Sequence, residues 1–181
     1  MKLDPELLEQ AARITRRPQK RYDDAPSKQK IAAKIRAAEI CSAVMREGDV
    51  ILDVGHEMFA AAPFLVRGAS RIEAVNLPQD MHELSAVDEF DGALAMHVLE
   101  HSPFPLYVLL AIRRALKEGG WLYVAVPEPT KKWITHKAHF TVLSLRGWKK
   151  LLKDAGFTIL SFEKGKFGPK SIEGRFLCRR R

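Results

Sequence analysis

Six histidines, His56, His82, His97, His101, His136 and His139, all lie between residues 56 and 139, and none falls in either end of the chain. Imidazole titrates near neutral pH and can take or give a proton, so this grouping suits general acid–base chemistry. His97, His136 and His139, with Glu128 in the turn Pro127-Glu128-Pro129, are the candidates for taking a proton from a bound acceptor. A metal site is a second reading, because His97 and His101 are spaced four apart and His136 and His139 three apart. A third is plain loop chemistry, with the rings hydrogen-bonding the backbone. Trp133 follows Lys131 and Lys132 in a segment, 131–136, that can cover a site, stack on a ring or meet a protein.

These residues need a scaffold. Val50-Ile51-Leu52-Asp53-Val54-Gly55 is an apolar run bounded by turn residues, the pattern of a strand buried on both faces. Residues 71–76, 90–96 and 121–126 read as further strands, and 157–163 and 175–179 as a terminal pair with a glycine-containing loop between them. Helices are expected over 28–45, with Ile31, Ile35, Ala38 and Ser42 on one face, and over 58–67, 105–116 and 144–154. Another is expected over 4–16, with Asp4 as cap and Leu7, Leu8, Ala11, Ala12 and Ile14 as its stripe. Strands alternating with helices imply a mostly parallel α/β sheet covered on both faces, with ligands at the strands' carboxyl ends. The histidines fall at or just past those ends.

The 181 residues are 46% hydrophobic and 29% charged, which suits one domain with a core and argues against wholesale disorder. The net charge of +8 is uneven: residues 1–37 carry +5, residues 164–181 carry +6, and the middle is −3. Basic ends suit an acidic protein or nucleic-acid partner. Residues 1–27 read as a basic helical extension and 28–181 as the main domain. Cys41 and Cys178 lack metal-ligand spacing and read as buried thiols. No apolar run is long enough for a membrane helix, and the start lacks the apolar stretch of a signal peptide, so a cytoplasmic protein is expected.

Three segments resemble the class I S-adenosylmethionine-dependent methyltransferases. They are Val50 to Gly55; Phe90-Asp-Gly-Ala-Leu-Ala-Met-His-Val-Leu-Glu-His101 on to Gly119-Gly120 and Trp121-Leu-Tyr-Val-Ala-Val-Pro127; and Gly147-Trp148 to Ala155-Gly156-Phe157. The resemblance spans roughly residues 30–180. It implies a Rossmann-like sheet of seven strands, mostly parallel with the last strand antiparallel, flanked by helices, and S-adenosylmethionine as cofactor. It implies no metal, since Leu-Glu-His is common in the family without one.

Methyl transfer is an in-line displacement at a sulfonium, so the protein mainly holds donor and acceptor in line and excludes water. On that resemblance Gly55 makes the close turn, Asp53 is the family's acidic residue, and Asn76 meets the ribose. Asp80, Met81 and His82 belong to the segment around the adenine, and Met96 and His97 face the cofactor. The turn departs from the family's Asp-x-Gly-x-Gly-x-Gly: Glu57 and Phe59 stand at the second and third glycine positions. Glu57 can meet the methionine ammonium but repels its carboxylate, and Phe59 crowds helix against strand. The stretch from Asn76 to Phe90 is also short for the usual helix. The expected function is methyl transfer to a small-molecule or sugar-type acceptor. The alternatives are a catalytically degenerate fold docking through its basic ends and a nucleic-acid methyltransferase; the latter lacks the Asn/Asp-Pro-Pro-Tyr/Phe motif.

Overall fold

The computed structural model describes residues 28–55, 62–75, 83–167 and 171–181. The expected helix over 4–16 lies outside these. The elements run α1 (Lys28–Cys41), β1 (Val50–Val54), α2 (Ala62–Val66), β2 (Arg71–Val75), β3 (Phe90–Met96), a 3-10 turn (Leu99–His101), α3 (Pro105–Ala115), β4 (Leu116–Pro127), α4 (Lys131–Ile134), α5 (Leu145–Asp154), β5 (Phe157–Lys166) and β6 (Ile172–Arg180). The sheet order is β2-β1-β3-β4-β6-β5. β2, β1, β3 and β4 are parallel neighbours, and β6 runs antiparallel to both β4 and β5. This is a mostly parallel α/β sheet with the final strand reversed, as the resemblance implies.

Side-chain alternation along each strand divides the core in two. Leu52, Val54, Ala93, Ala95, Leu122, Val124, Phe176 and Cys178 face α3 and α5, where Val108, Leu109, Ile112, Trp148 and Leu152 complete the layer. Ile51, Leu94, Trp121, Tyr123 and Leu177 face the other way, against Ala37, Ala38 and Cys41 of α1 and Phe64 of α2. Burying each large apolar side chain contributes about 1.5–3 kcal/mol, so the two layers fix which sheet face each helix takes. Cys41 and Cys178 are both free and buried, one in each layer, and the sheet separates them. Burial pushes the Cys178 thiol up to about 12 and raises Cys41 further, which leaves both inert.

The structure corrects several expectations. The sheet has six strands among the described residues, not seven. The interval from β2 to β3 is too short for both an added strand and the crossover it would need. α1 ends at Cys41, four residues early, and its buried face is Ala37, Ala38 and Cys41. Ile31 and Ile35 remain over 40% exposed, because small residues let the helix lie close to the sheet. The helix expected over 105–116 ends at Ala115, and β4 begins at Leu116 rather than at 121: Leu116 already pairs with Phe90, and the register shifts before Gly92 meets Trp121. The terminal strands are longer than expected, and Gly165 and Gly174 lie within them. Of the helix expected over 58–67, Ala62–Val66 is described and Gly68, at φ 98°, ends it.

Candidate functional site at the carboxyl edge of the sheet

β1 has β2 on one side and β3 on the other, so the strand order reverses between β1 and β3. Open α/β sheets bind ligands at such a switch point, outside the carboxyl ends of the strands. Gly55 and His97 follow those two ends. Gly55 has φ 111°, open to glycine, and its N–H donates to the Val75 carbonyl at 3.0 Å. His97 has φ 52°, rare for a residue with a Cβ, and its N–H donates to the Ala125 carbonyl at 2.9 Å. That turn lifts the ring off the line of β3.

The His97 ring is held from three sides. Nε2 lies 2.5 Å from Glu173 Oε2, Nδ1 lies 3.5 Å from Glu100 Oε1, and Phe167 stacks on its face with centroids 3.8 Å apart. Burial alone would lower the imidazole pKa. The hydrogen bonds and charges of Glu100 and Glu173 outweigh it and raise His97 to about 9. At neutral pH the ring is therefore an imidazolium between two carboxylates.

From Glu173 an ionic ladder crosses to the helix layer. Arg175 Nε donates to Glu173 Oε1 at 2.5 Å, and Arg175 Nη1 donates to Glu163 Oε1 at 2.9 Å. Arg36 of α1 then grips Glu163 through Nη2 at 2.7 Å and Nε at 3.1 Å. Burial pushes the Glu173 carboxyl up, but His97 and Arg175 more than offset it and hold it below the usual carboxylate range. Hydrogen bonding from Arg36, then Arg175, lowers Glu163 against its partial burial. Gly165 makes room for this ladder: a Cβ there would lie 2.2 Å from Arg175 Cζ.

A second cluster lies beyond the 3-10 turn. His101 Nδ1 meets the Ala138 carbonyl at 2.6 Å, and His101 packs edge-on to His139 at 4.8 Å. Trp133 stacks on His139 at 5.2 Å, and His136 approaches it at 4.5 Å. The N–H groups of Phe140 and Thr141 both donate to the Glu100 carbonyl, tying this loop to the turn. Burial, then the neighbouring His101, lowers His139 to about 4, so it is neutral at pH 7.

The four expected proton acceptors are thus not one group. His97 stands at the β3 edge, while His136 and His139 share the second cluster, with Glu100 between the two. Glu128 sits apart, at 2.7 Å from Lys164 Nζ. Among the expected cofactor contacts, Asp53 is buried at the end of β1, Gly55 and His97 are placed as above, and Met96 packs against the α1 layer. His56, Glu57, Phe59, Asn76, Asp80, Met81 and His82 lie outside the described residues. Glu100, Glu163, Phe167, Glu173 and Arg175 were not singled out from the sequence. Glu173 had one signal, as the lone acid in a basic end. That end is largely absorbed by the sheet: Lys164 and Arg175 pair as above, and Arg180 pairs with Asp88 and the Leu116 carbonyl.

The sheet order and the switch-point site define a class I methyltransferase-type domain. The chain belongs to the methyltransferase-domain family, whose model matches residues 29–161. It is an S-adenosylmethionine-dependent methyltransferase domain. No curated protein matches it in sequence. Among solved structures it is similar to the 1,6-didemethyltoxoflavin-N1-methyltransferase of Burkholderia thailandensis, bound to 1,6-didemethyltoxoflavin and S-adenosylhomocysteine. The two are 21% identical with a TM-score of 0.68, over 87% of this chain and 92% of that one. It is also similar to phosphoethanolamine N-methyltransferase 2 of Haemonchus contortus, at 13% identity and TM-score 0.68, over 82% of this chain and 53% of that one. The cyclase SpnF is similar too, at 18% identity and TM-score 0.62, over 88% and 84%. Likenesses at these identities show the fold. No helix among the described residues is long and apolar enough to cross a membrane.

Proposed function

We propose that the chain transfers a methyl group from S-adenosylmethionine to a small-molecule or sugar-type acceptor. The observation that carries this reading is the pairing of Gly55 and His97 at the switch point between β1 and β3. The residues there fit the cofactor in kind. Gly55 gives a turn without a Cβ, and Asp53 brings a buried acid to the same strand end. Asp53, Gly55, Met96 and His97 would hold the cofactor, with Glu57, Asn76, Asp80, Met81 and His82 as the sequence-derived remainder of its site. When bound, it supplies an electrophilic methyl on a sulfonium.

The protein's own work is to orient and to exclude water. His97 is charged at neutral pH, so its part is to fix the wall of the site, with both nitrogens engaged by carboxylates. Glu128, His136 and His139 remain the candidates for taking the acceptor's proton. Residues 1–27 are proposed as a separate basic extension, with an acidic protein or nucleic acid as the partner their charge suits, and 28–181 as the methyltransferase-like domain. Calorimetric titration with S-adenosylmethionine and S-adenosylhomocysteine tests the reading. Saturable binding of one equivalent supports it. No heat at millimolar ligand favours the catalytically degenerate alternative that Glu57 and Phe59 suggest.

A further inference from the structure

Glu100 is a carboxylate in the wrong place for an ordinary surface acid. Its side chain is 2% exposed. Oε1 faces His97, but Oε2 is buried and has no hydrogen-bond partner among the described residues. An unsatisfied buried carboxylate oxygen is costly, and its presence asks for a cation or a donor that completes it. His139 Nδ1, also buried, has no partner among them either.

These two residues do not stand apart. Glu100, His101 and His139 each offer one ligand atom, and the three atoms lie within 4.8 Å of one another. His101 is prepared for such a role. Its Nδ1–H donates to the Ala138 carbonyl at 2.6 Å, which puts the lone pair on Nε2, the arrangement that orients a metal-ligating histidine. His139 is held by the Trp133 face and by the loop that Phe140 and Thr141 fasten to the Glu100 carbonyl. Both histidines are partly open to solvent, which leaves an entry path, while the carboxylate is closed in.

We propose that Glu100, His101 and His139 form a binding site for one divalent transition-metal ion of the zinc class. Two imidazole nitrogens and one carboxylate are a donor set for such ions, with a further coordination position left open for water or substrate. Around an ion with bonds of about 2.0–2.1 Å, neighbouring ligand atoms stand about 3.3 Å apart, so the three side chains need to close by about 1.5 Å at most. Oε1 of the same carboxylate touches His97, so the ion would sit one side chain away from the switch-point edge. A bound ion would take up the lone pair of His139 and leave Glu128 and His136 as the candidates for the acceptor's proton.

The test uses the tag-free full chain, stripped with a chelator and titrated with Zn2+ by calorimetry and with Co2+ by its ligand-field absorption. The expected result is one ion per chain, with a Co2+ spectrum of low-symmetry nitrogen and oxygen coordination. His139→Ala lies on a partly exposed loop and is expected to fold as the parent by circular dichroism. It should weaken Zn2+ binding at least about a hundredfold. Glu100→Gln should do the same where it folds. His136→Ala, next to the triad but outside it, should stay within about threefold. Absence of one-to-one binding, affinity unchanged in His139→Ala, or loss of binding in His136→Ala would each overturn the assignment.

Discussion

Nε2 of His97 and Oε2 of Glu173 lie 2.5 Å apart, joining the end of β3 to the start of β6 across 76 positions of sequence. This contact, together with the one to Glu100, makes the imidazole a cation at neutral pH. Its folded pKa of about 9 is above the ordinary 6.5. The group therefore contributes stability that is fully present below about pH 6.5 and is lost as pH rises through about 9. Titrating the His97 ring signal by NMR should give a midpoint near 9, and Glu173→Gln should lower it by more than a unit. A midpoint below 7 in the parent protein would contradict the ion-pair account. The melting temperature of the parent should fall relative to His97→Gln between pH 7 and pH 10.

Two glycines should respond to alanine for different reasons. At Gly92 the added carbon would lie 2.1 Å from the Trp121 ring, which is buried and also donates from Nε1 to Asp49 at 3.1 Å. That ring has no room to yield, so Gly92→Ala should cost at least about 3 kcal/mol in urea denaturation. At Gly165 the clash is with the Arg175 guanidinium, the end of a flexible chain. There the cost is the loosened pairing with Glu163 and the buried Glu173, about 2 kcal/mol. Equal costs at the two positions would mean that Arg175 is held as rigidly as the indole.

The turn after β1 decides cofactor affinity in opposite directions at two neighbouring positions. Gly55→Val places a branched side chain at φ 111° and should abolish S-adenosylmethionine binding with little change in fold away from the turn. Glu57→Gly restores a family glycine and removes a carboxylate that repels the ligand's own, so it should tighten binding. Calorimetry on both variants checks this. Unchanged or weaker affinity in Glu57→Gly would refute the steric and electrostatic account of that turn.

Ser144 caps α5, its hydroxyl accepting from the Gly147 N–H at 3.1 Å. Ser144→Ala should cost about 1 kcal/mol in chemical denaturation, with no change in cofactor affinity, because α5 packs on the sheet face opposite α1.

The strand β3 was readable to the residue, since Phe90–Met96 is an apolar run between an acidic stretch and a polar turn. α5 was nearly as plain: a helix over 144–154 was expected, and Ser144 stands just outside it as the cap. Where packing outranks periodicity, the sequence misled. Ile31 and Ile35 look like part of the buried stripe of α1, yet beside the expected Ala38 the sheet accepts the smaller Ala37 and Cys41 instead.

By itself, the sequence determined the class of fold and where most of its strands end, because strand runs and glycine turns are local signals. It also marked His97, whose place after a strand is a matter of neighbours in the chain. Only the tertiary structure decided His97's partners and charge. Strand pairing brings Glu173 to it, with Arg175 behind Glu173, and Glu100 faces the His101–His139 cluster through a loop folded back onto the turn. Those contacts join positions distant in sequence, and the low polarity around them sets which groups carry charge.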